Sequence, residues 1–75
     1  MAYLASMGEA VLELMITLAQ AAETDDVCAS QLAAIAMDAA DAGEGLVAQG
    51  MIQLARGHRI RALRLRSDLA ALSAE

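Results

Sequence analysis

The chain has no proline, no phenylalanine and no tryptophan, and among its 75 residues Tyr3 is the single aromatic and Cys28 the single cysteine. Each absence excludes something. One cysteine cannot close an internal disulfide, so a disulfide-stapled scaffold is ruled out, and a lone thiol fits a reducing cytoplasm. With one aromatic side chain there is no series of platforms on which nucleic-acid bases can stack. Strand formers, the aromatic and β-branched residues, are scarce. Missing proline leaves no obligatory helix break. Basic residues are absent from the first 55 positions; all five are arginines between Arg56 and Arg66. Glu9 and Glu13 interrupt the early apolar stretch, and no run reaches the roughly 18 uncharged apolar residues of a membrane span. Neither a signal peptide nor a transmembrane segment is expected.

What is present is apolar and helix-forming. Hydrophobic residues make up 59% of the chain, with alanine, leucine, methionine, glutamate, glutamine and arginine prominent, all strong helix formers. This predicts an all-α fold and a single small helical domain over residues 1–75. A chain this short buries only about 60% of its unfolded surface, so its own core is marginal. Self-association is the expected support. The net charge is −5, and it is unevenly spread. Residues 1–55 hold acids only, whereas Arg56, Arg59, Arg61, Arg64 and Arg66 face just Asp68 and Glu75 downstream. That polarity favours folding the basic tail onto the acidic portion, or antiparallel pairing of chains.

Apolar spacing predicts two to three helices, at about 3–23, 25–42 and 45–73. In the first, Tyr3, Leu4, Met7, Val11, Leu14, Met15 and Leu18 crowd one side, extended by Leu12, Ile16 and Ala19. Ser6, Glu9, Glu13, Thr17 and Gln20 gather opposite, as an amphipathic helix requires. Glu23-Thr-Asp-Asp26 reads as a turn in which Thr24 or Asp25 caps a new helix. The second helix then carries a narrow stripe of Cys28, Leu32, Ile35, Ala39 and Ala42. Gly43 reads as its C-terminal stop. The alternative is one kinked long helix running from Asp25 to about Ser73.

The last segment has a heptad-like seam of Val47, Met51, Leu54, His58, Ala62, Leu65, Leu69 and Leu72. About half a turn away lies a second group, Ile52, Ile60 and Leu63, flanked by Arg56 and Arg59. Apolar residues on opposed sides call for more than one neighbour. The expected assembly is therefore a helical bundle completed by a second chain. Helix 1 would pack through Val11, Met15 and Leu18, and the oligomer interface would use Leu54, His58, Leu65 and Leu69 with Ile52, Ile60 and Leu63. Gly50 and Gly57, one heptad apart, would allow a close crossing with another backbone.

Chemistry-bearing motifs are sparse. His58 sits in the apolar seam, where a hydrogen-bonded or register-setting role outweighs catalysis. Cys28 reads as a small buried hydrophobe, and Met7, Met15 and Met51 as packing, with Met37 pointing away. Carboxylates at Glu9, Glu13, Asp38 and Asp41 form no Glu-x-x-His set, and there is no Cys/His cluster, so no metal or cofactor is expected. In size, acidity and helicity the chain resembles acyl carrier proteins. Those need an Asp-Ser-Leu attachment site; here the order is Ser67-Asp68-Leu69, near the C-terminus, so no family follows from it. The expected function is a non-enzymatic helical interaction and oligomerisation module, structural, adaptor or regulatory. The alternative is a small nucleic-acid-binding regulator using the Arg56–Arg66 segment, with Arg56, Arg59 and Arg66 as polar contacts.

Overall fold

Two helices account for the architecture of this computed structural model, which describes residues 2–74, with side chains from residue 8 onward. Helix α1 spans Ala2–Asp41 and helix α2 spans Gly45–Ser73. The side chains of Tyr3, Leu4, Ser6 and Met7, assigned above to faces of the first helix, lie outside the described residues. A 40-residue α-helix is about 60 Å long at 1.5 Å per residue. The molecule measures 63 × 14 × 12 Å, so α1 sets the length of a rod and α2 folds back along it.

The turn expected at Glu23–Asp26 does not form; the helix runs through it. The reason is local and tertiary together. Thr24 donates its hydroxyl to the carbonyl of Gln20 at 3.0 Å, an intrahelical bond to the preceding turn rather than a cap. Asp25 turns its carboxylate toward α2 and is 6% exposed. Neither a glycine nor a proline stands there to end the helix.

The break falls instead at Gly43, so residues 25–73 are not one kinked helix. Gly43 has φ +81°, a left-handed conformation that glycine adopts without steric penalty. Its N–H donates to the Ala40 carbonyl at 3.0 Å, and the Glu44 N–H to the Ala39 carbonyl at 2.8 Å. These are the two bonds of a Schellman motif, which satisfies the last free carbonyls of α1. Glu44 then starts α2, its carbonyl accepting from the Ala48 N–H at 3.0 Å, with no side-chain cap.

Burial follows a strict alternation of three and four residues on both helices. On α1 the inward positions are Met15, Leu18, Ala22, Asp25, Ala29, Leu32, Ala36 and Ala39. On α2 they are Ala48, Met51, Ala55, His58, Ala62, Leu65, Leu69 and Leu72. Ala36, Ala39, Ala48 and Met51 pack together next to the turn. Continuing outward in this antiparallel register sets Leu32 opposite Ala55, Asp25 opposite Ala62, Ala22 opposite Leu65 and Met15 opposite Leu72. This is the knob-and-hole periodicity of a two-stranded antiparallel coiled coil.

Among the described residues every buried apolar one is alanine: Ala22, Ala29, Ala36, Ala39, Ala48, Ala55 and Ala62, with exposures from 0% to 8%. No large side chain is fully buried among the described residues. A methyl at each heptad step lets two backbones approach closely while contributing little apolar area. The seam expected on α2 is thus right at six positions and displaced at two. Ala48 and Ala55 face α1, whereas Val47 and Leu54 stand 46% and 58% exposed. On α1, Ala29 and Ala36 take the places assigned to Cys28 and Ile35; Cys28 is half-buried and Ile35 is 47% exposed.

Candidate functional site

Midway along the alanine seam sits its one buried polar residue among those described, Asp25. His58 Nδ1 donates to Asp25 Oδ1 at 2.7 Å, across 33 residues of sequence. Arg61 Nη1 lies 3.7 Å from the same oxygen. The Asp25 side chain is 9% exposed, that of His58 29% and that of Arg61 67%. A carboxylate withdrawn from water therefore has an imidazole donor inside the seam and a guanidinium at its rim, which is how buried charge is tolerated. No buried side-chain nitrogen or oxygen among the described residues is without a partner.

The next residue, Asp26, forms an exposed ion pair with Arg66 that also links α1 to α2. The hydrogen bond to the Asp26 carboxylate holds the Arg66 guanidinium above its ordinary range, slight desolvation opposing it. Arg66 and Arg61 thus have acidic partners within the chain. Arg56, Arg59 and Arg64 are exposed, Arg56 and Arg59 on one side of α2 and Arg64 on the other. The five arginines do not form one stripe.

Chemically the cluster pins two helices together. Cys28 is one turn from Asp25 and is a free thiol, but among the described residues no hydrogen bond joins it to His58. Nor do the described residues contain a group of three or more His, Cys, Asp or Glu placed to hold a metal ion.

The residues assigned from sequence to an interface divide into two sets. His58, Leu65 and Leu69 are half-buried in the seam against α1 of the same chain, and Met15 and Leu18 are half-buried on the α1 side of that seam. Leu54, Ile52, Ile60 and Leu63 are on the outside, 58%, 42%, 52% and 66% exposed. Val11 is 41% exposed, because the register places it beyond the end of α2. Gly50 and Gly57 face away from α1, and a Cβ at either would meet nothing within 4 Å.

The outer residues fall on two flanks. In an antiparallel pair the residues just outside the seam on one helix share a side with their counterparts on the other. One flank carries Leu14, Ala21, Cys28 and Ile35 of α1 with Val47, Leu54, Arg61 and Asp68 of α2. A groove lined by Leu14, Leu18, Asp68, Ala71 and Leu72 confirms that pairing at the far end. The opposite flank carries Leu12, Ala19, Asp26 and Ala33 with Ile52, Arg59 and Arg66, and the Asp26–Arg66 pair spans it. Sequence reading missed the role of Asp25; the available signal was that Ala22, Asp25, Ala29, Leu32, Ala36 and Ala39 form an unbroken seam once no turn is inserted.

No helix among the described residues is long and apolar enough to cross a membrane. No protein-family model matches this chain, and comparison with curated proteins and with solved structures found no match.

Proposed function

We propose that this protein is a non-enzymatic helical interaction module, a small structural, adaptor or regulatory element that works as a homodimer of hairpins. One observation carries the reading: the hairpin buries alanine and displays its large apolar residues. Among the described residues thirteen of them, from Val11 to Leu63, are 41–85% exposed. The accessible surface is 5594 Å², against about 4,400 Å² for an ordinary folded monomer of this mass. Its radius of gyration is 17.6 Å, where a compact chain of this length has about 11 Å. Large apolar side chains exposed on this scale favour association. The Asp25–His58–Arg61 cluster fits the same reading, since it fixes how α2 lies on α1 and therefore which side chains are presented.

Sedimentation equilibrium between 1 and 200 µM tests the proposal. The expected result is twice the 7.8 kDa chain mass at the upper concentrations, with helix content rising as the dimer forms. A helical, cooperatively unfolding monomer throughout that range would overturn it.

A further inference from the structure

Resting on that reading, we infer that the second copy docks on the flank bearing Leu14, Cys28, Ile35, Val47 and Leu54, stacking two hairpins face to face as a four-helix bundle. Charge selects this flank. On α1 its rows hold no charged residue between Gly8 and Met37, the first being Asp38. On α2 they hold Arg61, Arg64 and Asp68, so the described charges on the flank cancel within a chain of net charge −5. A like-charged copy can approach here without facing a like-charged surface. The opposite flank is closed by the Asp26–Arg66 ion pair and also presents Glu23, Arg56 and Arg59. Covering that side would strip water from charges whose mutual attraction does not repay the loss.

Size and chemistry name the occupant. Where the 29-residue α2 lies along α1 the face is about 44 Å long at 1.5 Å per residue and 14 Å wide, a footprint on the order of 600 Å² per partner, the lower end of what a stable interface uses. A covering partner must be as long and must present an apolar strip whose few charges balance. A second copy brings both. Ile35, Val47 and Leu54, each 46–58% exposed, supply the apolar anchors in the half of the face nearest the turn, and Leu14 (47% exposed) supplies one at the far end.

Two measurements test the assignment. The first is sedimentation equilibrium on Ile35→Glu/Leu54→Glu, compared with Ile52→Glu/Leu63→Glu from outside this flank, with circular dichroism to follow helix content. Dissociation is expected to be at least 100-fold easier for the first variant and within about threefold of the parent for the second. The converse pattern, with the parent still dimeric, overturns the face and leaves the self-association reading standing. A parent that stays monomeric overturns both. The second uses the unmodified chain, where Cys28 lies half-buried on this flank. Its reaction with a thiol reagent is expected to slow at least tenfold as concentration rises through the dimerisation range. A rate independent of concentration while the mass doubles overturns the proposed face.

Discussion

His58 reaches across the interhelix seam to Asp25, its Nδ1 2.7 Å from Oδ1, at the one place among the described residues where the buried ladder is not hydrocarbon. Breaking a buried pair leaves its other half unpaired, whereas replacing both halves with apolar side chains removes the problem. Asp25→Ala alone is expected to lower hairpin stability by about 1–2 kcal/mol, tempered because the His58 ring is part-exposed and can rehydrate. The double variant Asp25→Leu/His58→Leu is expected to match or exceed the parent. Urea unfolding of the parent, both singles and the double gives the coupling. A double variant less stable than either single would contradict this account.

Ala62, fully buried at 0% exposed, tests how closely the helices meet. A leucine there has no space to occupy without pushing α2 off α1. Ala62→Leu is expected to lower stability by about 1–3 kcal/mol, the ordinary penalty of overpacking. Thermal unfolding by circular dichroism checks it. Unchanged stability would mean that the seam is loose.

How far the fold was legible follows from these residues. The all-helical character, the last helix at about 45–73 and six of the eight inward positions on α2 came from spacing, and the stop at Gly43 from its glycine; the boundary set at Glu23–Asp26 did not hold, since α1 runs unbroken from Ala2 to Asp41. Val47 and Leu54 were preferred to Ala48 and Ala55 because hydrophobicity ranks leucine and valine above alanine. The helices chose otherwise, since only a methyl permits close approach along the seam. Asp25 was misread for a related reason: a Thr-Asp-Asp string is a strong local capping signal, and only the partner helix, carrying His58, turns it into a buried pairing site. The exposed positions Ile52, Ile60 and Leu63 were legible as surplus to the seam. Which flank they occupy was not, because that depends on where α1 lies.

The glycines of the turn and of α2 should respond in opposite directions. Gly43→Ala forces a side chain into φ +81° and is expected to cost about 1–2 kcal/mol. Gly57→Ala places a methyl in open space within a helix interior and is expected to raise hairpin stability by about 0.5–1 kcal/mol. Denaturation midpoints of the two variants separate these effects. Equal shifts of the same sign would refute the assigned roles.

Neighbouring leucines offer a further contrast. Leu65 is half-buried opposite Ala22, while Leu63 is 66% exposed. Leu65→Asp puts an unpaired carboxylate into the seam and is expected to cost more than about 2 kcal/mol, visible as lost helix signal. Leu63→Asp is expected to stay within about 0.5 kcal/mol of the parent. Similar losses for both would show that the seam register is wrong.

A seam of alanine methyls also fixes how the hairpin responds to warming. Opening it wets little new hydrocarbon, and the heat capacity of unfolding scales with the hydrocarbon wetted. The increment per residue should fall below the usual 12–15 cal/mol/K, so the stability curve of a lone hairpin is shallow, without a sharp optimum. Covering one flank would steepen that curve, and calorimetry at several dilutions would register the joining of two rods as a rise in curvature.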